Sequence, residues 1–85
     1  MRYPSEFYNS LKVGQTIFYV EYGIKETTID EICIVRSKNE TKIRINKHNG
    51  GQLSHNDYIA LDKETLKKEL FNEMWLRFNK FSNSD

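Results

Sequence analysis

The sequence predicts a mainly β (α+β) fold: a small barrel of about five short antiparallel strands, with a short N-terminal helical turn and one C-terminal amphipathic helix. Runs of β-branched and aromatic residues recur between residues 16 and 61. Turn residues separate these runs, most clearly at 48–51, where Asn49-Gly50 readily supplies positive φ angles. After Asp62 the apolar residues follow a helical period. All 85 residues fit one domain.

The first elements are a helical turn and a strand. Pro4 precedes Ser5, which can cap a helix, and Glu6, which the helix dipole favours in the first turn. The apolar residues of this turn are expected to plug the end of the sheet: Phe7, Tyr8 and Leu11. The strand at 16–22 is apolar on both faces, so we expect the barrel interior on one face and a helix or second subunit on the other. Residues 23–28 are predicted to form a polar loop.

The rest of the sheet is organised around a hairpin at 29–47, which is predicted to have a core face and a basic face. An apolar strand leads into a turn at 37–40, and the second strand, 41–47, alternates. Ile43 and Ile45 are expected to face the core, and Lys42, Arg44 and Asn46 the solvent. Short strands at 52–54 and 58–61 complete the sheet.

Charge is unevenly distributed, although the formal net charge is only +1. Residues 36–48 hold five Lys or Arg against one acid, and residues 21–31 hold four acids against one base. Such a basic cluster can neutralise phosphates without reading bases, and an exposed Tyr19 or Tyr22 could stack an unpaired base. The alternatives are ordinary solvated edges and core tyrosines. The predicted nucleic-acid-binding residues are Arg36, Lys38, Lys42, Arg44 and Lys47.

Asp62 is predicted to cap a helix over 63–80. The apolar, aromatic stripe of this helix is broader than is needed to pack against one small barrel. This favours a second subunit on the remaining part of the stripe, and therefore a homodimer. The alternative is that Phe71 and Trp75 wrap round the barrel edge. The predicted protein-interface residues are Leu70, Phe71, Met74, Trp75 and Phe78.

Motifs for catalysis, metal ions or cofactors are not visible, so the expectation is a non-enzymatic protein without catalytic residues. His48 and His55 lie in turns without a nucleophile motif, and a small hydrolase using them is the least favoured class. The single Cys33 is expected to be a small buried core residue in a reduced, cytoplasmic setting. We predict neither a signal peptide nor a membrane span.

Several segments together resemble the small SH3-like barrels common among phage proteins. They are Leu11-Lys12-Val13-Gly14-Gln15-Thr16-Ile17-Phe18-Tyr19-Val20, the basic hairpin, Gly50-Gly51-Gln52-Leu53, and the junction Leu61-Asp62-Lys63-Glu64. Length and layout are also similar to the early proteins of T-even phages that disable host defences, among them inhibitors of RNA-cleaving toxins.

That resemblance implies a counter-defence protein acting in the host cytoplasm. It would bind a host protein, namely a toxin ribonuclease of a toxin–antitoxin system, while RNA contacts the basic hairpin. The alternative is a general RNA- or DNA-binding accessory barrel without a toxin target. The long aromatic helix departs from ordinary SH3-like barrels.

Overall fold

The computed structural model describes the backbone of residues 2–82 and the side chains of residues 2–74. Two helices flank five strands, and every strand pairing is antiparallel. The elements in chain order are α1 Ser5–Ser10, β1 Thr16–Val20, β2 Ile24–Arg36, β3 Thr41–Lys47, β4 Gln52–Ser54, β5 Ile59–Ala60 and α2 Lys63–Ser82. The mainly β class with five strands and a helix at each end of the chain is therefore confirmed.

The strands form one open sheet in the order β4-β3-β2-β1-β5. β2 is the longest strand: its first half pairs with β1 and its second half with β3. Residues 24–28, predicted as loop, therefore belong to β2, and the turn between β1 and β2 is confined to residues 21–23. The prediction failed because residues 25–28 are polar on both faces, although Thr27 and Thr28 are good strand formers.

A β-bulge at Asp30 divides the two halves of β2. Ile29 lies opposite Lys47 and Glu31 opposite Asn46, so Asp30 is an extra residue without a partner on β3. A bulge shifts the side-chain alternation by one residue. Odd-numbered side chains face the core before the bulge, and even-numbered ones face it afterwards.

The core lies on one side of the sheet, and residues of α1 pack into it. Its buried members are Tyr8, Leu11, Ile17, Tyr19, Ile29, Ile43, Ile45, Leu53 and Ile59, with Tyr3, Phe7, Ile32 and Ile34 packed against them. The predicted plug is therefore present, since two of its three residues are in the buried cluster. Ser5 does not cap α1: Pro4 occupies the N-cap position, and no side chain caps the helix.

The N-terminal segment ties α2 to the sheet. The Tyr3 hydroxyl accepts a hydrogen bond from the Ile59 amide at 3.0 Å and donates to the Glu69 carboxylate, whose oxygens lie 2.8 and 2.9 Å away. Arg2 places a guanidinium nitrogen 2.8 Å from Glu73 Oε1, and its guanidinium carbon lies 3.8 Å from the Tyr58 ring centroid. Burial is the largest cause that raises the pKa of Tyr3. Its hydroxyl therefore stays protonated and able to donate.

The predicted cap of α2 is confirmed. Asp62 Oδ1 accepts the Thr65 amide at 2.8 Å, and Asp62 Oδ2 accepts the Thr65 hydroxyl at 2.7 Å. The helix packs against β5 and β1, and Leu66 is fully buried. Within the described part of the chain, no helix is long and apolar enough to cross a membrane.

Candidate nucleic-acid interface

The side of the β2–β3–β4 half of the sheet that faces away from the core, here called the outer face, is built from aligned rows of side chains. Residues directly opposite each other in a sheet point to the same side. Cys33, Arg44 and Ser54 therefore form one row, and Val35 and Lys42 lie in the next. The core residues Ile43 and Ile45 alternate with Lys42 and Arg44 along β3, so the pair must face away from the core.

Arg44 lies at the centre of this face and is exposed. Among the described residues, no carboxylate lies within ion-pair distance of its guanidinium. Lys42 contacts Glu40 at 3.4 Å, but both side chains are largely exposed, and such a surface pair contributes little. Both cations can therefore meet an anionic ligand.

The remaining predicted basic residues do not share this face. Lys38 is exposed in the turn between β2 and β3. Arg36 lies two residues after Ile34 on β2, so its side chain points to the same inner side of the sheet. At this strand end its Nη2 lies 3.5 Å from Asn9 Oδ1. The hairpin thus brings Lys42 and Arg44 together on the outer face and leaves Lys38 and Arg36 at its tip.

Lys47 has a different environment. Its side chain points to the same side of the sheet as Ile43 and Ile45 and is only 8% exposed. Its ammonium group lies 4.2 Å from the Tyr19 ring centroid and 3.3 Å from Glu21 Oε2. This ion pair and cation–π contact already compensate its charge.

Other members of the acidic segment also have partners on neighbouring elements. Asp30 Oδ1 lies 3.1 Å from His48 Nδ1, and Glu31 Oε1 accepts the Asn46 side-chain amide at 3.0 Å. The charge separation seen along the chain is thus partly cancelled by folding. The Glu31–Asn46 contact lies on the outer face in the row next to Arg44, because Arg44 and Asn46 are alternate residues of β3.

A shallow groove with a volume of about 380 Å³ runs across the outer face. Cys33 and Val35 form its apolar side, Lys42 and Arg44 its cationic side, and polar side chains complete the wall. The polar lining residues are Gln52, Ser54 and His55. The sequence predicted Cys33 to be a buried core residue, and this prediction is wrong: Cys33 is half-buried and lies on the outer face. The bulge at Asp30 is the reason, because after it Ile32 and Ile34 take the inward positions.

The two tyrosines considered for base stacking have opposite environments. Tyr19 is buried in the core, and its hydroxyl accepts a hydrogen bond from the Asn49 side chain at 2.9 Å. Tyr22 lies in the turn after β1 with a positive φ of 56°, and its side chain is fully exposed. Only Tyr22 therefore offers a free ring.

The histidines do not meet in a catalytic arrangement within the part of the chain that the structure describes. His48 contacts Asp30, whereas Asp57 accepts the Ser54 backbone amide at 2.6 Å. His55 lines the groove, and its carbonyl oxygen accepts the Arg2 amide. Among residues 2–82, no group of three His, Cys, Asp or Glu side chains could hold a metal ion.

The predicted protein-interface residues on α2 divide between the inside and the outside of the molecule. Leu70 is half-buried, whereas Phe71 and Met74 are 67% and 70% exposed. Phe71 thus does not wrap round the sheet edge. The side chains of Trp75 and Phe78 lie outside the described residues.

Sequence reasoning found the two central cations but missed the groove beside them. Val35, Gln52, Ser54 and His55 carry no motif, and only the strand register brings them to Arg44. The one available signal was the spacing of three from Ile29 to Ile32, which departs from the period of two and indicates a bulge. Compared with known protein families, curated proteins and solved structures, the chain matches none of them.

Proposed function

We propose that this protein is a non-enzymatic RNA-binding protein that holds RNA phosphates on its outer face. The observation that carries the proposal is the exposed pair Lys42 and Arg44, which face outward because they alternate along β3 with the buried Ile43 and Ile45. Two cations at alternate positions of one strand lie about 7 Å apart, which is close to the spacing of phosphates along an extended strand. Lys38 and Arg36 extend the positive charge towards the hairpin tip.

Phosphate contacts supply affinity and position but little sequence preference. Binding should therefore be tolerant of sequence and should weaken steeply as salt rises, with a slope of about 0.7 per neutralised phosphate on single strands. The exposed ring of Tyr22 adds a stacking surface for an unpaired base.

The test is the salt dependence of RNA binding in the variant Lys42→Gln/Arg44→Gln. Losing two phosphate contacts should lower the salt slope by about one to two units and weaken all RNA sequences alike. The matched control is Lys12→Gln/Lys25→Gln, which removes the same charge from two other exposed positions. Equal slopes in parent and outer-face variant would refute the proposal.

We further propose that the protein acts on a host protein partner, a toxin ribonuclease of a toxin–antitoxin system. The resemblance to early phage counter-defence proteins supports this, and the exposed Phe71 and Met74 provide an apolar surface for a protein contact. Such a protein would act in the host cytoplasm. The alternative is an accessory RNA- or DNA-binding protein without a toxin target.

RNA cleavage by a purified toxin ribonuclease, together with a pull-down before and after RNase treatment, separates these functions. Direct inhibition predicts that cleavage stops and that the complex survives RNase. An RNA-bridged complex is lost on RNase treatment, and an accessory protein leaves cleavage unchanged. The variant His48→Ala/His55→Ala should keep the inhibition. If this variant folds but loses the inhibition, the histidines are needed and an enzymatic mechanism becomes the better explanation.

A further inference from the structure

The groove on the outer face has a composition that phosphate binding alone does not require. Lys42 and Arg44 would serve that purpose on a flat polar surface, yet the floor beside them is formed by Cys33 and Val35. Val35 remains 54% exposed, so its side chain is largely unused by the fold. An exposed apolar floor next to two exposed cations suits a ligand with both an apolar face and a negative charge.

One unpaired nucleotide has this combination. Its base offers a flat apolar face with polar edges, and its phosphate carries the charge. The groove's volume of about 380 Å³ falls within the range of small-molecule sites. Ser54 and Gln52 offer a hydroxyl and an amide at the wall, the groups that hydrogen-bond to base edges.

We propose that this groove binds one unpaired nucleotide of a single-stranded RNA, with the base on Cys33 and Val35 and a phosphate on Arg44 and Lys42. The inference rests on the RNA-binding function proposed above and narrows it to unpaired strands. In a duplex the bases are stacked and paired, so only their phosphates could reach the outer face. Single strands therefore gain a contact that duplexes lack.

Cys33 gives a direct readout, since it is the only cysteine in the chain and lies on the groove floor. The experiment measures the rate of Cys33 alkylation in the whole protein with single-stranded RNA, a duplex of the same sequence, or polyphosphate. Each is added at about ten times its own measured Kd, which leaves about one-tenth of the protein free. Single-stranded RNA should slow alkylation about tenfold, whereas duplex and polyphosphate, which contact only the cations, should slow it much less.

A substitution on the floor separates base binding from charge. Val35→Lys adds a cation beside Lys42, so simple phosphate neutralisation predicts tighter binding of every RNA. A base-binding groove predicts instead that the affinity ratio of single strand to duplex falls several-fold. Val13→Lys is the matched control: Val13 is 66% exposed and does not line the groove, so the added charge there should leave the ratio unchanged.

The outcomes distinguish this inference from the function on which it rests. Absence of RNA binding at low salt refutes both. RNA binding that depends on Lys42 and Arg44 but leaves Cys33 equally reactive refutes the nucleotide groove and keeps the phosphate contacts. Protection by polyphosphate equal to that by single-stranded RNA also refutes it, because the groove would then be an anion site without a base contact.

Discussion

The side of the sheet that a side chain faces decides whether each lysine of β3 can bind a ligand or is held by the fold. Lys42 faces solvent, while Lys47 faces inward and lies over Tyr19. Lys47→Ala should lower the free energy of unfolding by about 1–2 kcal/mol, because it removes a buried side-chain stem and a cation–π contact. The salt slope of RNA binding should stay at the parent value.

Lys42→Ala is the matched substitution on the same strand. It should change the free energy of unfolding by less than about 0.5 kcal/mol but lower the salt slope, because its ammonium group is exposed. Urea unfolding and RNA titration of both variants measure the two effects. If Lys47→Ala lowered the slope as much as Lys42→Ala, Lys47 would belong with the phosphate contacts.

The Tyr3 hydroxyl is a second single-residue determinant, because it links the Ile59 amide to Glu69 on α2. Tyr3→Phe leaves this part-buried donor and acceptor without their partner and should lower the free energy of unfolding by about 1–3 kcal/mol. Tyr22→Phe removes a hydroxyl from a fully exposed ring and should change it hardly at all. Urea unfolding decides between them: equal stability of the two variants would show that the Tyr3 link is not needed.

At the scale of elements, β2 shows how far periodicity can be taken. The apolar residues between 29 and 35 predicted a strand, and the strand is there. They are Ile29, Ile32, Cys33, Ile34 and Val35. The side that each residue faces could not be taken from the run itself, because Ile, Cys and Val are all acceptable on a half-buried face. The bulge at Asp30 decides it and moves Cys33 and Val35 outside. The sequence therefore predicted the strand, whereas the groove could be identified only once the strand register was known.

The start of α2 was predictable because capping depends on local chemistry. The hydrogen bond from the Thr65 amide is the largest cause that lowers the pKa of Asp62 below its usual 3.8. The cap therefore contributes fully above pH 3.8 and is lost as the pH falls through the lower pKa of the folded state. An asparagine side chain can also cap a helix but does not titrate.

We therefore expect any advantage in Tm that the parent holds over the Asp62→Asn variant at neutral pH to shrink as the pH falls through that range. Other carboxyl groups titrate in both proteins and cancel in the difference. Thermal unfolding followed by circular dichroism between neutral and acid pH measures it. A difference that stays constant with pH would contradict a stabilising charge on Asp62.

At the scale of the whole molecule, the separation of acidic and basic segments has a different meaning from the one that the sequence suggested. Glu21, in the turn after β1, meets Lys47 at the end of β3, and Asp30 of β2 meets His48 just after β3. Counting charges could not reveal these pairs, because they depend on how the strands and turns are arranged in the folded sheet. After folding, Lys42 and Arg44 lie on the outer face, whereas Lys47 at the end of β3 faces inward.

The oligomeric state is the last property that the exposed surface allows us to predict. Phe71 and Met74 are both about two-thirds exposed on α2, and burying such side chains is worth roughly 1.5–3 kcal/mol each. Contact between the helices of two copies would bury four of them, because a twofold interface uses the same patch twice. We expect a homodimer at micromolar concentration that dissociates on dilution.

Sedimentation of Phe71→Ser/Met74→Ser tests this homodimer against Lys63→Ser/Lys67→Ser, which changes two exposed polar side chains of the same helix. The first variant should sediment as a monomer of 10.1 kDa at concentrations where the parent and the control are dimers. Because neither apolar side chain is buried in the single chain, the variant should unfold at the parent's urea concentration once both are diluted to monomers. A parent that is itself a monomer at micromolar concentration would refute the homodimer and leave this surface of α2 for a different protein partner.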